Sequence, residues 1–218
     1  MSASPPITLE RSVAQAYATP IGRFRLSESA ALNQGLRRIV LEREAAQPSD
    51  DFANVGGWHS TMDLWEWPQP EIQQLKPPIL EAVRHMMAVA AGGQLPAGRV
   101  AVKAWANVSR CGNYHRLHNH PNAAWSGVYY VDAGGSAPEQ PLSGVLELCD
   151  PRPFTEMIHA PGDPYGKRAV FPAEAGTMVL FPSWLYHFVN PFVGDGERIS
   201  IAFNVQWQAN APAAHAMT

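Results

Sequence analysis

Apolar positions along the chain change period near residue 99, from about 3.6 before it to 2 after it. Ser29 stands where a helix N-cap is expected, and Leu32, Leu36 and Ile39 follow it on one helical face. That helix should fade across 43–51, where Gln47-Pro48-Ser49-Asp50-Asp51 has loop composition. A second helical pattern runs through Ile72, Leu75, Ile79, Val83 and Met86 and closes at Gly92-Gly93. Pro77-Pro78 lies inside it, so the pattern reads either as two pieces or as one helix beginning near the prolines. After residue 99 short alternating runs predict strands at 99–108, 126–131, 145–148, 177–181, 187–189 and 198–207. Gly134-Gly135, Ser143-Gly144, Pro161-Gly162 and Gly194–Gly196 punctuate them. Many short strands with Gly/Pro turns predict a mainly β protein with a jelly-roll core over 99–208, beneath a helical layer over 1–98. No internal repeat interrupts this plan, and 1–218 reads as a single domain.

The last strand has two distinct faces. Ile199, Ile201, Phe203, Val205 and Trp207 form one; Arg198, Ser200, Ala202, Asn204 and Gln206 form the other. The polar face either meets solvent or, if the strand lines a barrel, a ligand. Composition narrows the classes. Hydrophobic residues at 46% against 16% charged describe a globular chain and not a disordered one. A net charge of −3 gives no basic surface for nucleic acid. No apolar run reaches the roughly 20 residues that span a bilayer. Met1–Pro6 has neither a basic start nor an apolar signal core, so a cytoplasmic location is expected, with Cys111 and Cys149 as reduced thiols. Seven tryptophans call for a large core or a lined pocket. Trp125 and Trp184 are the candidates for pocket walls, and Trp65 and Trp67 for a packed loop.

Candidate chemistry begins with the clustered His115, His118 and His120. On a strand, residues two apart share a face, so His118 and His120 can aim at one point, with His187 arriving from a distant strand as a third ligand. By the same parity His115 faces away from His118, as a supporting or surface residue. Three ligands on one side of an octahedral ion leave open positions opposite, as a non-haem Fe(II) site needs. Downstream, Arg198-Ile199-Ser200 puts a guanidinium fork and a hydroxyl on one face. A dicarboxylic keto acid can chelate a metal at one end and meet that fork at the other.

These residues, with their neighbours, resemble a known family. His118-Asn119-His120-Pro121, Trp125–Val131, Ser143-Gly144, Asp150-Pro151-Arg152, Phe181–His187 and Glu197–Asn204 are similar to the 2-oxoglutarate- and Fe(II)-dependent oxygenases, nearest their bacterial and phage branch. The likeness extends to Asn54–Ser60 in the N-terminal layer. It implies a double-stranded β-helix (jelly-roll) core holding ferrous iron and 2-oxoglutarate. O2 is consumed, the keto acid becomes succinate and CO2, and a C–H bond is oxidised, hydroxylation being the default outcome. It further implies His118 and His187 as iron ligands, and Arg198, Ser200 and Tyr130 as holders of the distal carboxylate of 2-oxoglutarate. His120 stands where the family usually has aspartate, which removes one negative charge from the site. The third ligand is therefore His120, or else water, Asp150 or Glu147 completes a two-histidine site.

Other histidines have plainer readings. His59 is structural or substrate-facing, while His85, His159 and His215 are ordinary. Residues 50–70 are the expected substrate lid, since long loops beside a site commonly carry specificity. The substrate is a small molecule or a protein side chain, and the apolar helix layer could pair with a second copy as a homodimer. A different class, a cupin-like jelly-roll metal protein, would use the three histidines but would have no need of Arg198 and Ser200.

Overall fold

The structure is a computed structural model and describes residues 17–95, 97–135, 139–159, 161 and 168–209. Met1–Pro6, Gly162 and His215 lie outside the described residues. In chain order the elements begin with β1 (Gly22–Arg25), α1 (Ala30–Ala46), β2 (Asn54–Val55), β3 (Trp58–His59) and α2 (Pro70–Ala90). They continue with β4 (Gly98–Ser109), β5 (Tyr114–His118), β6 (Trp125–Ala133) and β7 (Leu146–Leu148). The last are β8 (Ala169–Phe171), β9 (Thr177–Pro182), β10 (His187–Val189) and β11 (Arg198–Ala209).

Two antiparallel sheets make the jelly roll, one in the order β1-β9-β6-β11-β4-β3 and the other β2-β5-β10-β7-β8. The predicted strands are all present. The first hundred residues are more than a helical layer, however, because β1, β2 and β3 add edge strands to both sheets. Strands of two to four residues are too short for a readable alternation, and pairing with long neighbours is what creates them.

Both helices cover one face of the six-stranded sheet. Leu36, Ile39 and Val40 of α1 join Ile72, Leu75, Ile79, Val83 and Met86 of α2 in one core. The sheet supplies Ala106, Val108, Tyr129, Leu180, Ile201 and Phe203 to that core. The helices' apolar stripes are thus covered within the chain. At the join, the Tyr129 hydroxyl donates to Asn33 Oδ1 at 2.6 Å. Ser29 precedes the first turn of α1, but its hydroxyl makes no capping hydrogen bond.

Pro77 and Pro78 do not break the second helix, which is continuous from Pro70 at its first turn to Ala90. An interior proline costs roughly 3 kcal/mol. Burial of seven side chains of α2 against the core, at about 1.5–3 kcal/mol for each large one, outweighs that. Pro77 is exposed and Pro78 half-buried, so the core-facing residues Leu75 and Ile79 on either side keep their packing.

The opposite face of the six-stranded sheet looks toward the five-stranded one. Near β7, Tyr130, Val179 and Phe181 of the first sheet pack with Leu146 and Leu148 of the second. Elsewhere the sheets part around a cavity, and the alternation of β11 resolves there: Ile199, Ile201, Phe203 and Val205 face the helices, while Arg198, Ser200, Ala202, Asn204 and Gln206 line the cavity.

Candidate active site

The cavity has a volume of about 820 Å3 and takes its walls from both sheets. Strand register arranges its floor in rows across β4, β11 and β6. Asn107, Ser200 and Tyr130 form one row, extended by His59 of β3. Trp105, Ala202 and Val128 form the next, and Lys103, Asn204 and Ser126 a third nearer the mouth. Gly127 of β6 lets the far end of the Phe203 ring approach its backbone, on the side away from the cavity, where any Cβ would collide with it.

Across from this floor, His118, His120 and His187 each bring one ring nitrogen within 4.8 Å of the others. Ring centroids lie 4.2 Å apart for His118 and His187, 5.0 Å for His118 and His120, and 5.1 Å for His120 and His187. His118 and His187 are direct cross-strand partners on β5 and β10. His120 lies beyond the end of β5, so strand alternation does not place it. The turn does: the His120 N–H donates to the Ser183 carbonyl at 2.9 Å, and the Ser183 hydroxyl donates to Ala123 O. Phe181–His187 therefore supplies one ligand candidate and also the scaffold for another.

Protonation suits metal binding. His118 Nδ1 is 2.7 Å from the Arg116 carbonyl and His187 Nδ1 is 2.9 Å from the Leu185 carbonyl. A carbonyl only accepts, so Nδ1 carries the proton in both and Nε2 keeps its lone pair. Burial pushes His187 down to about 3 and His120 down to about 4, with the neighbouring imidazoles adding to the effect. His118 is lowered by burial too. All three are neutral donors near pH 7, a set that suits iron among the divalent transition metals.

The two alternative carboxylates are engaged elsewhere. Asp150 accepts from Arg152 Nε at 3.0 Å and Nη2 at 2.6 Å, which holds it down at about 2. Glu147 accepts from Arg168 and Asn190. Among the described residues neither belongs to the histidine cluster.

Arg198 lies deep in the cavity and is 2% exposed. Its guanidinium carbon is 5.2 Å from the Tyr130 ring centroid. Arg198 Nε and Tyr130 Oη are both buried without a hydrogen-bond partner, and no acidic side chain pairs with Arg198 among the described residues. Burial lowers the guanidinium from its ordinary value, opposed by the Tyr130 hydroxyl, and burial raises that hydroxyl in turn. A buried, uncompensated cation beside an unpaired hydroxyl is a costly arrangement that an anion would relieve. Gly144 makes room for it: φ is +62°, and a Cβ there would stand 2.8 Å from Arg198 Cδ. Ser200 is buried in the adjoining row.

His115 departs from its sequence reading, for it lines the same cavity as His118, with ring centroids 6.5 Å apart. The register shifts there: His187 faces His118 but Val189 faces His115, so β5 carries a bulge. One extra residue reverses the parity and turns both rings inward. Burial, then the Arg198 charge, push His115 down to about 3. Trp125 and Trp184 do not line the cavity; Trp125 packs at the edge of the helix-side core and Trp184 is half exposed. The cavity tryptophan is Trp105, stacked on His59 at 5.6 Å and 17° and 5.6 Å from His120. Its signal was its place on the Lys103–Asn107 face of β4. Asn107 was also missed, and its Oδ1 is buried in the cavity without a partner. Of the expected lid, Phe52, Ala53, His59 and Met62 reach the cavity, while Trp67 is buried elsewhere. With β2 and β3 paired to β5 and β4, this stretch is a wall more than a lid.

Residues 103–204 match the family model described as Putative 2OG-Fe(II) oxygenase. No curated protein matches the chain. Among solved structures, a prolyl-4-hydroxylase from Pseudomonas putida is similar with a TM-score of 0.60 at 17% identity, covering 88% of this chain and 93% of its own. A Trichoplax adhaerens prolyl hydroxylase in complex with a hypoxia inducible factor peptide gives 0.61 at 12%, covering 85% and 83%. HygX from Streptomyces hygroscopicus, with nickel, 2-oxoglutarate and hygromycin B bound, gives 0.56 at 10%, covering 86% and 83%. The structural likenesses speak for the fold. The matched segment contains both the histidine cluster and the Arg198 face, and over residues 103–204 this chain is similar to the 2-oxoglutarate- and Fe(II)-dependent oxygenases.

Proposed function

We propose that His118, His120 and His187 hold ferrous iron and that Arg198, Tyr130 and Ser200 anchor 2-oxoglutarate, in an enzyme that oxidises a C–H bond of a second substrate. Bound there, iron and 2-oxoglutarate supply the chemistry, oxidative decarboxylation of the keto acid by O2 coupled to substrate oxidation. The carrying observation is the pairing, in one cavity, of three neutral imidazoles with a buried guanidinium that has no counter-ion among the described residues. The imidazoles are neutral already, so metal binding need displace few protons. Arg198 offers a charge-assisted fork to a distal carboxylate, and Tyr130 Oη can donate to the same group. Leu146, Val189, Val128 and Phe181 line the space with apolar surface that keeps water low around these charges.

His120 as third ligand rests on its position in the cluster and on the other engagements of Asp150 and Glu147. A cupin-like metal protein without keto-acid chemistry leaves Arg198 unexplained. The solved relatives include one bound to a peptide and one to hygromycin B, which brings both a protein side chain and a small molecule into view as substrates.

The test is anaerobic addition of Fe(II) and 2-oxoglutarate to the metal-free protein, following the visible metal-to-ligand charge-transfer absorption. A band that Arg198→Ala abolishes is expected. Iron binding without a band sinks the keto-acid reading, and absence of metal binding sinks both.

A further inference from the structure

Cations and carboxylates are matched across most of this protein and unmatched in its cavity. Arg23, Arg37, Arg38, Arg110, Arg152 and Arg168 each pair with Asp or Glu. Among the described residues that line the cavity none is acidic, although the whole chain carries a net charge of −3. Lys103, exposed at the mouth, has no ion pair or hydrogen bond among the described residues. Arg116 on the facing strand donates to the Phe52 carbonyl at 3.3 Å, and the carboxylate nearest it is Asp51, at 3.9 Å, whose side chain is 90% exposed. The neutral rims do not offset these charges: Asn204 accepts from Ser126, and Gln206 donates to the Asn122 carbonyl.

The two cationic ends are too far apart to serve one ligand. Lys103 pairs with Asn204 on β11, six residues from Arg198. At about 3.3 Å per residue that is roughly 20 Å along the strand, longer than a five-carbon diacid. Trp105 lies between them, two residues (roughly 7 Å) from Lys103 on the same face of β4. Its ring is 5.6 Å from that of His120. Trp105 is itself 4% exposed and stacked on His59, so a molecule held at the mouth by a charge passes beside it and reaches the histidine cluster with its other end.

We propose that the second substrate is a small organic anion, its carboxylate or phosphate held by Lys103 and its planar or apolar body extending past Trp105 toward the histidine cluster. A cavity of about 820 Å3 suits a small molecule. That the buried end is the one oxidised rests on the oxygenase reading above; the charge preference of the mouth does not.

The experiment is calorimetric titration of four probes sharing one ring system into protein loaded anaerobically with Fe(II) and saturating 2-oxoglutarate. The probes are naphthalene-2-carboxylate, 2-naphthyl phosphate, the uncharged naphthalene-2-carboxamide and the cationic naphthalen-2-ylmethylamine. An anionic probe should bind at least tenfold tighter than the amide, with the amine weakest, and the better of the two anions identifies the group. Lys103→Ala should bring that anion to within threefold of the amide, and Lys103→Glu should favour the amine. Lys103 is exposed, so neither change opens a cavity in the core. Equal binding of amide and anions, a preference that survives Lys103→Ala, or failure of all four probes at millimolar concentration overturns the proposal. So does a preference that vanishes when 2-oxoglutarate saturates, since the anion then sits on Arg198. The same series on metal-free protein separates the two readings: a Lys103-dependent preference there stands even if iron and keto acid do not bind.

Discussion

Replacing Arg198 with methionine should move stability and ligand affinity in opposite directions. Arg198 is 2% exposed, its Nε is unpartnered, and no carboxylate among the described residues neutralises it. Burying an ion costs several kcal/mol even after relaxation. The compensation on hand is the face of Tyr130, 5.2 Å away, worth up to about 2 kcal/mol for a desolvated cation. Methionine has similar length and no charge to desolvate, so the ligand-free variant should gain about 1–4 kcal/mol. In a chain of 218 residues each kcal/mol moves the midpoint by about 2–4 °C, so metal-free R198M should melt at least about 2 °C higher than the parent. Losing the charged anchor should weaken 2-oxoglutarate by about 2–5 kcal/mol, or from about 30-fold to a few thousand-fold. A concentration of 2-oxoglutarate at 100 times the parent's Kd stabilises the parent by about 2.7 kcal/mol and should stabilise the variant by less than about 1 kcal/mol. Scanning calorimetry with and without 2-oxoglutarate, beside an anaerobic titration, reads both effects. A variant that melts more than about 5 °C lower without ligand would show the guanidinium to be structurally satisfied. Retained 2-oxoglutarate affinity would remove Arg198 from the site.

Gly144→Ala should act through the same arginine. The new Cβ meets Arg198 Cδ at 2.8 Å and the backbone stays at a positive φ, so a stability loss of about 1–2 kcal/mol and at least tenfold weaker 2-oxoglutarate are expected by melt and titration. His120→Ala should lose stoichiometric Fe(II) in metal analysis while His120→Asp keeps it; full occupancy in the alanine variant would take His120 out of the ligand set. Metal-free protein should lose stability in mild acid. His187 near 3, His115 near 3 and His120 near 4 all lie below the ordinary 6.5, chiefly through burial. The unfolded chain then binds protons before the folded one does, so stability is complete above about pH 6.5 and falls as the pH drops toward 3. A melting midpoint unchanged between pH 7.5 and 5 contradicts that burial.

How much of this was legible beforehand depends on the range of the interaction concerned. Leu32, Leu36 and Ile39 marked α1, and the even spacing from Arg198 to Gln206 marked a two-faced strand, because helix and strand periods are properties of the local backbone. The chemical types were legible too: clustered histidines followed by an arginine and a serine name donors for a metal and for an anion whatever the fold. Position was harder. Whether the polar face of β11 met solvent or a cavity was undecidable until the five-stranded sheet stood opposite it. A bulge in β5 overrode the parity that sent His115 outward, and a turn pinned to Ser183 placed His120 where strand alternation could not. Pro77 and Pro78 stayed helical because distant sheet residues bury the rest of α2. Trp105, not Trp125 or Trp184, reached the cavity because cross-strand register, a pairing between residues about a hundred positions apart, selects which ring faces in. The sequence by itself determined the periodic elements and the kinds of donor they carry. Register, bulges and sheet-on-sheet packing decided which donors share one space, since those depend on contacts between segments that no local pattern encodes.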